Sequence, residues 1–250
     1  MALKLKAAIK PLIPAPLLDS WRRYRFNIEQ NAVRGRPLDE VFNEIYARGT
    51  WKPSGSDALY HSGPGSVAGV TEGYEAFVAG YIDADPSIRR LIDIGCGDFQ
   101  VSQRILARLK KPVSYVGCDI ASLVVADNQA RHGVEGRIAF RTLNVATDPL
   151  PPGDIVTIRE VFQHLSNDTI LAALANLRGS FKRAIITEAV PLTPSKPNLD
   201  IASGYRTRDG LKSGVYLELG PFNLEVLDRY EVPVSGNDGG EVLRTLVVKL

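Results

Sequence analysis

One turn, within residues 91–100 (LIDIGCGDFQ), constrains the fold of this chain more than any other segment. An apolar run typical of a buried strand ends in Gly95-Cys-Gly97, and a helical pattern begins directly after it. Glycines at this spacing let the backbone turn sharply and let a ligand approach it, because no Cβ is in the way. In doubly wound sheets ligands bind at the carboxyl ends of the strands. The segment therefore predicts a parallel α/β sheet with a ligand at this turn.

The chain after residue 90 alternates short apolar runs with helical patterns, which is typical of a parallel sheet covered by helices on both faces. The predicted strands are 91–94, 113–118, 138–143, 155–158, 184–187, 224–232 and 242–250. The predicted helices are 100–109, 123–130 and 169–181. The turn-rich stretch 235–240 joins the last two strands into a hairpin. We expect a Rossmann-like, doubly wound seven-stranded α/β sheet with an antiparallel C-terminal hairpin strand and an N-terminal helical extension.

Length and composition exclude several classes of protein. A chain of 250 residues that is 44% hydrophobic can bury a large core, so disorder over most of it is excluded. No stretch approaches the roughly 20 apolar residues that a membrane-spanning helix needs. The only two cysteines, Cys96 and Cys118, lie in apolar segments and predict reduced core residues of a cytoplasmic protein.

The amino-terminal segment differs from the rest in charge. Residues 1–25 carry +5, whereas the remaining residues carry −3, and so nearly neutral a body does not predict a nucleic-acid-binding protein. Leu17, Trp21, Tyr24 and Ile28 form one apolar helical face. This face predicts either peripheral contact with anionic lipid, at the inner membrane face, or packing on the domain or on a second copy in a homodimer. We divide the chain into a basic segment (1–30), a helical cap (31–85) and a ligand-binding domain (86–250).

Acidic residues around the glycine turn indicate the kind of ligand. Gln100 stands where a dinucleotide-binding turn has its third glycine, and Asp93 and Asp98 would repel a pyrophosphate. They suit a ligand that carries positive charge. Asp119, 22 residues after Gly97 at the end of the second predicted strand, can accept hydrogen bonds from both hydroxyls of a ribose.

The segment 93–98 (DIGCGD) together with Asp119 resembles the first two motifs of class I S-adenosylmethionine-dependent methyltransferases. The resemblance covers about residues 88–250 and implies S-adenosylmethionine as cofactor. It implies that Gly95 and Gly97 line the methionine part and that Asn144, where the family usually has an acidic residue, contacts the adenine amino group. The implied cofactor-binding residues are Asp93, Gly95, Gly97, Asp98, Asp119, Ile120, Asn144, Val145, Arg159, Tyr46, Ser62, Gly63 and Ser66.

Four segments resemble a narrower group, the methyltransferases of surface-polysaccharide and glycolipid biosynthesis. They are 159–168, 42–51 (FNEIYARGTW), 62–66 (SGPGS) and 198–222. By this resemblance the 62–66 loop and Tyr46 close over the methionine end of the cofactor, and 198–222 faces the acceptor. The residues expected to contact the acceptor are Trp51, Gln163, Arg206 and Phe222.

His164 is the predicted catalytic base, because it follows the end of the fourth strand and an imidazole titrates near neutral pH. The alternative is a buried histidine that orders its loop. Glu188 and Asp200 are further candidate bases, and with His164 they could form an oxygen-rich metal site. We expect no metal, since no i, i+3 or i, i+4 ligand spacing occurs.

These observations predict an O-methyltransferase that acts on a sugar hydroxyl of a glycan, glycolipid or nucleotide sugar. Three alternatives stay open: a methyltransferase for a lipid, phenol or amine, a nicotinamide-dependent oxidoreductase, and a non-catalytic partner of a glycosyltransferase. Gln100 and the terminal hairpin disfavour the oxidoreductase.

Overall fold

The strands form one mixed sheet in the order β3-β2-β1-β4-β5-β7-β6. The computed structural model describes residues 15–53, 56–234 and 240–250. The strands are β1 (Arg90–Ile94), β2 (Ser114–Asp119), β3 (Ile138–Thr142), β4 (Ile155–Arg159), β5 (Arg183–Pro191), β6 (Val226–Pro233) and β7 (Glu241–Lys249). The pairs among β1–β5 are parallel, whereas β7 is antiparallel to both β5 and β6. The predicted sheet is confirmed. Residues 235–239 of the predicted hairpin turn lie outside the described residues.

Helices cover both faces of this sheet. They are α1 (Ala15–Val33), α2 (Leu38–Ala47), α3 (Glu72–Ala84), α4 (Gln100–Arg108), α5 (Ser122–His132) and α6 (Asn167–Arg178). The predicted helices correspond to α4, α5 and α6, with ends that differ by up to three residues. Helix α6 begins at Asn167 because the Ser166 hydroxyl caps it, accepting a hydrogen bond from the Thr169 amide at 3.3 Å.

The alternation of side chains along the strands gives each face its own core. Leu91 of β1 shares a core with Val78 of α3, whereas its neighbour Ile92 shares the opposite core with Leu174 of α6. Helices α2 and α3 both lie in the predicted 31–85 cap, and each buries its apolar side in one of these two cores. The division of the chain at residues 30 and 85 stays a prediction.

Helix α1 packs against the short turn Asp209–Leu211. None of the helices in the described ranges combines the length and the apolar character needed to cross a bilayer.

A buried carboxylate fixes α3 on α4. Glu75, which is 1% exposed, accepts hydrogen bonds from Nε of Arg104 at 2.6 Å and from Nε of Arg108 at 3.1 Å. Arg104 also donates to the backbone carbonyl of Ser66 at 2.8 Å, so that the pair ties the 62–66 loop to both helices. Removing one partner of a buried ion pair is costly, because the other charge stays in a medium of low dielectric constant.

We therefore expect Glu75→Ala to lower the free energy of unfolding by about 3 kcal/mol. Glu72 is the matched control, since it lies on the same helix, 3.8 Å from Arg108, with its side chain 73% exposed. Glu72→Ala should change stability by less than about 1 kcal/mol. Urea unfolding of both variants measures the difference, and equal effects would contradict the structural role of Glu75.

Candidate functional site

A cavity of about 350 Å³ opens at the carboxyl ends of β1, β2 and β4. The glycine turn, the end of β2 and the chain after β4 form its floor. The predicted site residues that line it are Tyr46, Trp51, Ser62, Gly63, Ser66, Asp93, Gly95, Asp98, Asp119, Ile120, Asn144, Val145, Arg159, Gln163 and His164. Those that do not line it are Gly97, Glu188, Asp200, Arg206 and Phe222.

Asp119 joins the glycine turn to the chain that follows β2. One carboxyl oxygen accepts the backbone N–H of Gly97 at 3.0 Å, and the other accepts the backbone N–H of Ala121 at 2.9 Å. Burial raises the pKa of Asp119 to about 6, although both amides favour the ionised form. A carboxylate has about four lone-pair sites, so each oxygen can still accept a hydroxyl from a ligand.

The 62–66 loop is clasped to the glycine turn by reciprocal hydrogen bonds. The Asp98 carboxylate accepts the backbone N–H of Ser62 at 3.1 Å, and the backbone N–H of Asp98 donates to the Ser62 hydroxyl at 2.8 Å. A Cβ on Gly97 would lie 2.1 Å from that hydroxyl oxygen. We expected both glycines to line the cavity, but only Gly95 does. Gly97 lies against Ser62, and the absence of a Cβ leaves space for the Ser62 hydroxyl.

The buried Asp93 holds the strands together beneath the turn. Its carboxylate accepts hydrogen bonds from the hydroxyls of Ser102 at 2.5 Å, Tyr115 at 2.8 Å and Thr157 at 3.0 Å. Burial raises its pKa, against the effect of these three donors. Asp93 lines the cavity, but its oxygens are occupied in joining β1 to β2, β4 and α4.

Asn144 offers an amide among apolar neighbours at one end of the cavity. Ile120, Leu143 and Val145 line the cavity beside it. Its side-chain oxygen accepts the backbone N–H of Ala146 at 3.0 Å, which leaves a second lone pair for a ligand donor. This end of the cavity suits a flat apolar ring that carries an amino group.

Arg159, which was predicted as a site residue, forms a charged pair at the end of β4 with Glu160, which was not. Nη1 of Arg159 is 2.7 Å from the carboxylate of Glu160, and Nη2 donates to the backbone carbonyl of Gly65 at 2.8 Å. Glu160 also lines the cavity, with φ at +53°, a conformation that is rare for a side chain larger than glycine. No pattern in the sequence signals this strained position.

His164 lies in the cavity wall against Trp51, with 5.2 Å between the ring centroids. Trp51 in turn packs edge-on against Tyr46. Nδ1 of His164 is buried without a hydrogen-bond partner among the residues that the structure describes. Burial lowers the pKa of His164, so its imidazole is neutral at neutral pH. The imidazole also hydrogen-bonds the backbone of Gly204 and Arg206, which opposes part of this lowering and fixes the ring.

The structure corrects the prediction that Glu188 is a base. Its carboxylate lies behind the cavity wall and accepts the backbone N–H groups of Phe162 at 2.8 Å and Gln163 at 2.9 Å. Burial raises its pKa to about 8. Glu188 orders the loop that carries His164 and is enclosed by it.

Three other predicted residues also lie outside the cavity. Asp200 caps α6, since its carboxylate accepts the backbone N–H of Asn167 at 2.7 Å. Arg206 points toward α1 and binds the carboxylate of Glu29 at 2.6 Å. Phe222 is buried in the core that includes α2 and α6. Across the described ranges, no three His, Cys, Asp or Glu side chains are grouped so that they could hold a metal ion.

The segment that contains Arg206 lines the cavity, but the Arg206 side chain does not. Its neighbours Tyr205 and Thr207 line the cavity instead, and the Arg206 guanidinium lies over the Tyr205 ring, 5.1 Å from its centroid. We call the side chains of Trp51, His164, Tyr205 and Thr207 the acceptor wall.

Arg208 is a positioning residue that sequence reasoning missed, as it missed Glu160. It is 1% exposed, and its guanidinium binds five oxygen atoms. These are the carbonyls of Leu199 (2.8 Å), Phe162 (3.1 Å), Gln163 (3.2 Å) and Leu165 (2.7 Å), and the side-chain oxygen of Asn167 (2.9 Å). Burial lowers the pKa of Arg208 to about 10, opposed by the nearby Glu188 and Asp200. Arg208 therefore fixes the loop that carries His164.

We expect Gly97→Ala to open the clasp, because the new methyl group would occupy the position of the Ser62 hydroxyl. Hydrogen exchange at the Ser62 amide should accelerate by about tenfold or more. Gly136→Ala is the matched control, since Gly136 has a similar positive φ of +71° but nothing within 4 Å of the added Cβ. Unchanged exchange at Ser62 in Gly97→Ala, or equal acceleration in both variants, would contradict the clasp.

Comparison with known proteins was made on the sequence and on the fold. Residues 92–183 match the family described as "Methyltransferase domain". No curated protein sequence matches the chain.

Solved structures share the fold at low sequence identity. The [4+2]-cyclase SpnF is 15% identical, covering 85% of this chain and 97% of its own, with a TM-score of 0.56. Magnesium protoporphyrin IX methyltransferase from Synechocystis PCC 6803, with bound SAM, is 13% identical, covering 87% and 99%, with a TM-score of 0.54. The N-methyltransferase NodS from Bradyrhizobium japonicum WM9 is 12% identical, covering 72% and 96%, with a TM-score of 0.52. Residues 92–183 are therefore similar to a methyltransferase domain, and the chain shares the fold of these three structures.

Proposed function

We propose that this methyltransferase transfers the methyl group of S-adenosylmethionine to a hydroxyl group of a sugar, in a glycan, glycolipid or nucleotide sugar. One observation carries the proposal. Side chains from four separate segments, 42–51, 62–66, 159–168 and 198–222, line one cavity together with Asp119 and Asn144.

The charges of the cavity suit S-adenosylmethionine. Four carboxyl groups line it (Asp93, Asp98, Asp119 and Glu160), and the guanidinium of Arg159 is paired with one of them. Asp119 would hold the ribose hydroxyls and Asn144 the adenine amino group. The cofactor supplies a methyl group on a positively charged sulfur, which the surplus of carboxyl groups favours electrostatically.

The residues of the acceptor wall would prepare the hydroxyl. A sugar hydroxyl is a weak nucleophile until its proton has somewhere to go. The neutral imidazole of His164 can take that proton, while Trp51 and Tyr205 exclude water and hold the acceptor in place. Glu188 and Arg208 keep the imidazole in position by fixing its loop from two sides.

The acceptor class is tested by supplying methyl-labelled S-adenosylmethionine with extracted glycans, glycolipids and nucleotide sugars, and separately with lipids, phenols and amines. Label in a sugar ether supports the proposal. Label only in a phenol, amine or lipid would move the enzyme to that acceptor class. Binding of S-adenosylmethionine without turnover of any acceptor would favour a non-catalytic partner of a glycosyltransferase.

The cellular setting stays a prediction. Cys96 and Cys118 are both free thiols in the structure, in keeping with the cytoplasmic location that we propose. Absence of a nucleic-acid partner and formation of a homodimer remain predictions too.

We expect His164→Ala to lower kcat by roughly 10²–10⁴-fold and to leave the affinity for S-adenosylmethionine almost unchanged. The rate of the original enzyme should rise with pH and level off above the pKa of His164, which lies below its usual value of 6.5. The variant should lack this dependence.

The control is His132→Ala, because the His132 ring packs on Phe99 at 5.3 Å and does not line the cavity. Its kcat should match that of the original enzyme. If His164→Ala keeps most of its kcat, the proton goes elsewhere and His164 only orders its loop.

The affinity for S-adenosylhomocysteine should fall as the pH drops below about 6, the pKa of Asp119. Protonation removes the charge that strengthens hydrogen bonds from the ribose hydroxyls. Asp119→Asn should bind about 10–100-fold more weakly near neutral pH and lose this pH dependence. Calorimetry from about pH 5 to pH 8 measures both effects.

The control is Asp127→Asn, because Asp127 is paired with Arg131 on the outer side of α5. This variant should bind like the original protein. Identical binding by Asp119→Asn would reject the ribose contact.

A further inference from the structure

Helix α1 presents an unpartnered apolar face to solvent. Trp21, Tyr24 and Ile28 are 56%, 64% and 50% exposed. They follow one another at intervals of three and four residues, which places them in one stripe along the helix. Exposed aromatic residues in such a stripe are costly in water and indicate a surface that is covered in use.

The sides of α1 that carry Glu29 and Gln30 are fixed to the domain. The buried Gln30 accepts the backbone N–H of Ala202 at 2.5 Å, and Glu29 binds Arg206 at 2.6 Å. The bond to Arg206 holds the pKa of Glu29 at about 2, well below its usual range. Since Arg206 lies between Tyr205 and Thr207, the apolar stripe is attached directly to the segment that forms part of the acceptor wall.

One basic residue adjoins the stripe, and a second lies on the polar side of the helix. The guanidinium of Arg25 lies over the Trp21 ring, 5.1 Å from its centroid, and 3.0 Å from the Glu29 carboxylate. Arg23 is exposed about 200° around the helix from Trp21. The sequence of residues 1–25 carries +5 and includes three lysines, a residue type that is depleted in protein–protein interfaces. Aromatic residues beside basic ones are typical of helices that lie in the interface of an anionic bilayer.

We propose that the face of α1 formed by Trp21, Tyr24 and Ile28 docks the enzyme on an anionic lipid surface, so that the acceptor wall receives a sugar carried on a lipid. The docking stands on the geometry and charge of α1. The lipid-linked acceptor rests, in addition, on the proposed function. The aromatic side chains enter the headgroup region, and the basic residues contact anionic headgroups.

Co-sedimentation of the full chain with vesicles tests the docking without requiring methyl transfer. The protein should bind phosphatidylcholine vesicles that contain phosphatidylglycerol and bind pure phosphatidylcholine much more weakly. High salt should weaken the binding. Trp21→Ser with Tyr24→Ser should lower the affinity by about tenfold or more, and Arg23→Gln by about fivefold. Leu227→Ser, on the outer side of β6 at 47% exposure, is the control and should bind normally.

Two results would overturn the docking. One is that the chain does not bind the anionic vesicles, or that the double variant binds them as well as the original protein does. The other is a dimer that dissociates on this double replacement, which would make the face a contact between copies of the chain.

Turnover separates the docking from the proposed function. The double variant should methylate a lipid-linked sugar on vesicles several-fold more slowly and a soluble sugar at the original rate. If the double variant methylates the lipid-linked sugar as fast as the original enzyme does, the proposal of a lipid-linked acceptor is overturned. Vesicle binding without methylation of any sugar would reject the proposed function and leave the docking intact.

Discussion

The backbone of residues 162–167 runs through the interior between β4 and α6, where its polar groups must find partners within the protein. Two buried ionisable side chains provide them. Glu188, from β5, accepts amide N–H groups, and Arg208, from the segment that follows β5, donates to the carbonyls. Burial raises the pKa of Glu188 to about 8 and lowers that of Arg208 to about 10, and the interaction between the two groups opposes both shifts. The position of His164, and with it the acceptor wall, depends on this arrangement.

Much of the fold could be predicted because its signals are local. The apolar runs, the turn Gly95-Cys-Gly97 and the terminal hairpin each act over a few residues, and the sheet follows from their order. Asp119 could be placed at the cavity for the same reason, since the ends of parallel strands meet at one edge. Tyr46 and the 62–66 loop were placed there by resemblance alone.

The missed residues depend on contacts between distant parts of the chain. Glu188 follows the predicted strand 184–187, as a catalytic carboxylate would, but it lies within β5, and backbone amides from the loop after β4 occupy it. Arg208 looks like one more surface arginine in the sequence, and only the folded chain shows the carbonyls around it. Arg206 could not have been corrected from the sequence either, because its partner Glu29 lies 177 residues earlier in the chain.

The fold by itself does not fix the reaction, since the [4+2]-cyclase SpnF shares it. What favours methyl transfer in this chain is the matched domain together with the chemistry of the cavity. An excess of carboxyl groups favours a cationic donor, and the neutral imidazole of His164 can accept a proton. Both features concern the same cavity of about 350 Å³.

A crystal structure of the protein with S-adenosylhomocysteine tests this account most directly. The account predicts the ribose hydroxyls on the Asp119 carboxylate, the adenine at Asn144 and the sulfur on the side of the cavity that holds Glu160 and His164. A ligand bound outside this cavity, or a reversed ligand with its adenine beside His164, would contradict it.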